Sequence, residues 1–140
     1  MFRPIRRGLL LCAVLALVGG CGDDATPIVP TNPTLTTDTF TGELTENGAF
    51  THQFNVNSTG KVTATLTSVQ PDATKTIGFS LGTVIGTTCQ AVLANDAAVQ
   101  TNVLTGTAQI GGTFCLRVYD VGSITTDTGP FTYTVTVEHP

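Results

Sequence analysis

The chain has 140 residues, which leaves room for one domain once an exported leader is subtracted. Six basic residues stand against ten acidic ones; Arg3, Arg6 and Arg7 lie before residue 8, and every acid follows Cys21. Beyond Cys21 the bases are Lys61, Lys75 and Arg117 alone. That balance excludes an electrostatic grip on nucleic acid and opposes adsorption to anionic lipid through the charges of the domain.

Residues 1–20 read as an address. The three arginines form a positive start, and Gly8–Gly20 (GLLLCAVLALVGG) is an apolar run. A helix crossing the hydrocarbon core needs about 20 apolar residues, so this run is short for a permanent span and has the layout of a secretory signal. It ends in Val18-Gly19-Gly20-Cys21, which resembles the lipobox of bacterial lipoproteins. In that family the cysteine takes a diacylglyceryl group on sulfur and the signal is cut just before it, so the resemblance implies lipidation at Cys21. Gly19 and Gly20 suit a peptidase that needs small side chains beside the scissile bond; Val18 stands where leucine is more usual.

Residues 21–37 follow as the expected lipidated cysteine and a tether. The stretch GDDATPIVPTNPTLTT holds Pro27, Pro30 and Pro33 and has no periodic apolar pattern. Proline favours extended, polyproline-like chain at about 3.1 Å per residue, so this spacer reaches up to roughly 50 Å.

Residues 38–140 carry a different pattern. Thr makes up 28 of the 140 residues, and its branched β-carbon favours strands. Phe50, His52, Phe54 and Val56 alternate with polar residues, as do Val62, Ala64 and Leu66. Phe114, Leu116 and Val118 do the same, and so do Phe131, Tyr133, Val135 and Val137. One apolar face and one Thr-rich face per run predict antiparallel strands packed on one side. Further strands are expected near 39–45, 76–85, 88–94 and 99–108, for about eight in all. Turn formers separate them, among them Glu46-Asn47-Gly48, Asn57–Gly60, Pro71-Asp72, Asn95-Asp96, Gly111-Gly112 and Thr128-Gly129-Pro130. The expected architecture is all-β, an antiparallel sandwich or jelly roll. Gln90–Gln100 is the one segment with room for a helical turn.

Cys12 leaves with the signal and Cys21 takes the lipid, so Cys89 and Cys115 remain. Two thiols in an oxidising envelope most simply pair as a disulfide, the alternative being two separate free thiols.

Thr51–Val56 (THQFNV), Gly60–Ser68 (GKVTATLTS), Gly112–Val118 (GTFCLRV) and Phe131–Val137 (FTYTVTV) resemble the bacterial pre-peptidase C-terminal domain. The resemblance spans essentially the whole domain and implies a β-sandwich of jelly-roll type. Such domains are usually appendages of secreted enzymes, and some bind calcium, collagen or polysaccharide. Here a lipid anchor is expected where the enzyme would be.

Chemistry is sparse. Nucleophilic catalysis needs a base in reach of a nucleophile and a third group to orient it. His52 falls on the apolar parity of its strand and reads as partly buried or at an edge; His139 reads as a solvated end. No Gly-x-Ser-x-Gly elbow, phosphate loop or zinc spacing occurs, so neither catalysis nor a cofactor is expected. Asp72, Asp96, Asp120 and Asp127 sit at expected loops or strand ends, where oxygen ligands for calcium would have to converge. Arg117, on a polar face beside Tyr119, reads as the partner of an acid, or else as a contact for an anionic or sugar ligand.

The expectation is therefore a non-catalytic lipoprotein of the bacterial envelope, at the outer membrane, serving as a binding module for protein or polysaccharide. The alternative is a structural envelope lipoprotein without a specific soluble ligand.

Overall fold

The computed structural model describes residues 32–140; the signal segment, Cys21 and the tether up to residue 31 lie outside the described residues. Eight strands follow one another: β1 (Thr36–Leu44), β2 (Ala49–Val56), β3 (Gly60–Gln70), β4 (Ile77–Ile85), β5 (Thr88–Ala98), β6 (Val103–Ala108), β7 (Gly112–Tyr119) and β8 (Phe131–His139). The domain opens at Thr36, so the last residues assigned to the tether are already strand.

The strands form two four-stranded antiparallel sheets, ordered β1-β8-β3-β6 and β2-β7-β4-β5. Only β4 and β5 follow each other within one sheet; every other connection crosses between layers. Two interlocked Greek keys of this order make a jelly-roll sandwich. Period-two patterning explains the layers. Val62, Ala64 and Leu66 of β3 and Phe131, Tyr133, Val135 and Val137 of β8 turn inward from one sheet. They meet Phe54 and Val56 of β2, Phe79 and Leu81 of β4, and Leu116 and Val118 of β7 from the other.

Three departures from plain alternation shape the molecule. In β3 the register shifts between Leu66 and Ser68, and Val69 takes the inward position that strict parity gives to Ser68. In β5 the expected turn at Asn95-Asp96 is instead a bulge, since Phe79 pairs with Asn95 while Ile77 pairs with Ala98. Asn95 still uses its turn chemistry there, accepting the Ala97 amide at 3.0 Å. The third departure is a second register shift against Leu81 and Gly82. Gln90–Gln100 holds no helical turn: it is strand to Ala98, because pairing with β4 outweighs the helix propensity of its alanines. Residues 99–102, expected as strand, instead form the turn into β6, with the Asn102 amide donating to the Val99 carbonyl at 3.0 Å.

Antiparallel wiring sorts the loops into two ends. Loops 57–59, 86–87 and 109–111 share one end with the start of β1 and the finish of β8. Loops 45–48, 71–76, 99–102 and 120–130 gather toward the other.

Candidate functional site

The outer face of the second sheet holds both remaining cysteines. Cys89 of β5 and Cys115 of β7 form a disulfide with Cα atoms 5.8 Å apart. Yet β4 lies between those strands in the sheet order. Neighbouring strands sit about 4.8 Å apart, so strands two places apart are separated by nearly twice that. The bridge therefore requires β5, while still paired with β4, to curl over the outer face of β4. Gly82 is where it crosses: a Cβ there would lie 2.0 Å from the Gln90 carbonyl oxygen and 2.9 Å from the Ala91 Cα. The covering explains why β4 is buried on both faces, including Ser80, and why Cys115 is fully buried on a face that is otherwise polar.

Further along that face Tyr119 lies over Gly78, where an added Cβ would meet its ring. Its hydroxyl donates to the Asp96 carboxylate on the β5 bulge. Burial first, and then the Asp96 hydrogen bond and charge, push the Tyr119 hydroxyl up to about 12. Arg117 sits over the ring, 5.3 Å from its centroid, in a cation–π contact. Among the described residues Arg117 is in no ion pair, which corrects the expectation of a salt bridge: the nearby acid, Asp96, is already taken by tyrosine. The ring is thus engaged by Arg117 over its face and by Asp96 at its hydroxyl.

Both imidazoles make contacts between strands. His52, on edge strand β2, reaches across to β8, where Nε2 and the Tyr133 hydroxyl share a hydrogen bond of 2.7 Å. Its ring stacks on Phe40 of β1 with centroids 4.9 Å apart, so these side chains close one long side of the sandwich. Burial pushes Tyr133 up to about 12 and pulls His52 down from 6.5. Since the folded value lies below the free one, the unfolded chain takes the proton first. We expect the His52 contribution to stability to be whole above pH 6.5 and to fade as the pH drops below it. Urea denaturation at pH 7.5 and 5.5 checks this: the loss between the two should be smaller in His52→Gln than in the parent.

His139 corrects a second expectation. It is 2 % exposed rather than solvated, because β8 runs on to it and the inward parity of Val135 and Val137 continues. Its Nε2 lies 3.1 Å from Asp38 Oδ2, and its ring packs on Phe54. Beyond it, the Pro140 carbonyl accepts the Asn57 amide at 3.0 Å.

The four loop aspartates do not converge. Asp72 accepts the Thr74 hydroxyl and amide, and Asp96 accepts the Tyr119 hydroxyl. Asp120 organises the long 120–130 loop: Oδ1 accepts the amides of Gly122, Ser123 and Ile124 at 3.0–3.2 Å, and Oδ2 accepts that of Asn47 at 3.0 Å. Burial pushes its carboxyl upward, but the four amide donors outweigh that and hold it below the usual carboxylate range. Among the described residues no three His, Cys, Asp or Glu side chains are grouped to hold a metal ion.

What sequence reasoning missed is an apolar cleft of about 260 Å³ between the sheets. Val62, Leu81, Val92, Leu93, Ala108 and Phe114 line it, and Gln109 and Ile110 carry it to the loop end where β1 begins. The signal was faint in sequence. Val92 and Ile110 are large apolar residues in a loop or on an outer strand, left exposed without a core position to fill.

Fold and sites together define a disulfide-bonded all-β domain of jelly-roll topology. No protein-family model matches the chain, and no curated protein matches it either.

Proposed function

We propose that the chain is a non-catalytic lipoprotein of the bacterial cell envelope, cut before Cys21, lipidated there, and working as a tethered binding module for a protein or polysaccharide. Its domain, on this reading, is of the kind it resembles in sequence, the pre-peptidase C-terminal domain, with a lipid anchor in place of an enzyme. The outer membrane is its expected site.

The observation that carries the reading is the two-ended build of the domain. The chain enters at Thr36, at the end formed by loops 57–59, 86–87 and 109–111. The opposite end presents Glu46, Asp72, Asp120 and Asp127 with Lys75 as the only base, and Asp120 fastens the longest of its loops. A module tied down at one end and offering ordered loops at the other is built to meet a partner away from its anchor. The non-catalytic part is supported by the imidazoles, since His52 and His139 are both committed to contacts that hold strands together.

The test is made in cells with the full chain. The parent should fractionate with membranes, and the peptide beginning at Cys21 should carry acyl mass; Cys21→Ala should lose that mass and the membrane association. In-cell crosslinking followed by mass spectrometry should capture one dominant protein or glycan. A parent chain that is soluble and unacylated overturns the anchor, and capture of bulk envelope protein alone overturns the binding role.

A further inference from the structure

The two ends of the sandwich differ in more than their loops. At the end where the chain enters, loops 57–59, 86–87 and 109–111 contain no charged side chain. They read Asn-Ser-Thr, Gly-Thr and Gln-Ile-Gly. The nearest charges, Lys61, Glu138 and the Asp38–His139 pair, lie within strands of the first sheet rather than at the tips. This same end carries large apolar side chains in the open. Ile110 is 74 % exposed at the tip of its loop, Ile85 is 61 % exposed beside the 86–87 turn, and Leu35 is 54 % exposed just before β1. The apolar cleft reaches the surface here as well, through Ile110. Phe50 and Val103, each about half exposed, stand toward the other end at the starts of β2 and β6, so what sets this end apart is that its more exposed apolar side chains sit among loops free of charge, a combination that marks a contact surface.

We propose that this end rests on the lipid surface, with Ile110 and Ile85 dipping into the headgroup layer and the acidic end turned outward. The proposal builds on the lipid-anchor reading, because a lipid at Cys21 places a bilayer within reach of Thr36. The anchor reading alone does not choose an orientation, since the tether expected from the sequence is long enough for either end to face the membrane. Two forces select one. Exposed isoleucines gain by leaving water at the interface, and the four acids of the far end are repelled by an anionic leaflet. Adsorption of this kind is apolar, so it stands with the net acidity that opposes electrostatic binding.

The chain contains no tryptophan, which makes the test direct. The full chain is produced in cells as Ile110→Trp, Ile85→Trp or Thr126→Trp, the last at an exposed position of the far end. Each variant is reconstituted into vesicles of phosphatidylethanolamine and phosphatidylglycerol with brominated acyl chains, which quench tryptophan at shallow depth. Quenching at positions 110 and 85 should exceed that at 126 by about threefold or more if the side chains enter the interface. Acylation of Cys21 is read on the same samples by mass spectrometry. An acylated chain quenched alike at all three positions overturns the seating and leaves the anchor standing. An unacylated chain that is still quenched selectively at 110 and 85 keeps the seating and overturns the anchor. A chain neither acylated nor quenched overturns both.

Discussion

Replacing Cys89 and Cys115 together by alanine is expected to lower the unfolding free energy by about 3.5 kcal/mol. The figure comes from the loop the bridge closes, 26 residues along the chain, through the configurational freedom that it removes from the unfolded state. For a domain whose whole stability is on the order of 5–15 kcal/mol, that is a large share. The folded state loses something too. The bridge fastens the start of β5 over β4, and without it the covering strand is held there by ladder hydrogen bonds and the Tyr119–Asp96 contact. Alanine is the right replacement because Cys115 is fully buried, and serine would add a hydroxyl to satisfy. Urea denaturation of the oxidised parent and the double variant measures the difference. A loss under about 1 kcal/mol would mean that the unfolded chain is already restricted by other contacts.

Gly82→Ala is expected to cost about 3 kcal/mol or more, although it adds a single methyl group. The obstacle is main chain: the new Cβ would stand 2.0 Å from the Gln90 carbonyl oxygen and 2.6 Å from its carbon. A side chain can swing aside, but a strand pinned by its own ladder and by the neighbouring disulfide has to move as a unit. Gly78→Ala is the informative comparison, because there the obstacle is the ring of Tyr119. That ring can tilt if its hydroxyl gives up Asp96, so a smaller loss is expected. Equal losses at the two positions would show that β5 does not press on Gly82 more firmly than a tyrosine presses on Gly78. The same denaturation curves settle it, provided the denaturant slope is unchanged between variants.

Much of this architecture was legible in the residues. Runs such as Phe131–Val137, in which apolar and threonine side chains alternate, bury one face whatever their neighbours, so strand identity is a local property. The count of about eight strands, their antiparallel character and the pairing of Cys89 with Cys115 followed from turn signals and from counting thiols. Even the two-ended charge pattern lay in the sequence. Antiparallel strands reverse at every loop, so loops after even-numbered strands gather at one end, and those are the uncharged ones.

Other features depended on which strand lies over which. The alternation ends visibly at Val137, but His139 is buried because Asp38 and Phe54 come to it from β1 and β2, both far away along the chain.

 The Asp38 contact alone spans 101 positions of chain. Arg117 was placed on the right face by its parity, yet its partner became the Tyr119 ring once the β5 bulge had brought Asp96 to the tyrosine hydroxyl. The bulges in β3 and β5, the crossing at Gly82 and the cleft between the sheets have no local signature, since each is a relation between strands that are distant in sequence.

The sequence by itself determined the strands, their inward faces and the cysteine pair, because a period-two pattern and a count of thiols need no partner to be read. Tertiary structure alone decided that β5 folds over β4, that His139 is buried, and that the exposed isoleucines share one end with the start of β1. The reason is physical: register and layer crossing are fixed by the close packing of side chains from distant strands, and a single missing side chain, as at Gly82, is enough to set where one strand passes over another.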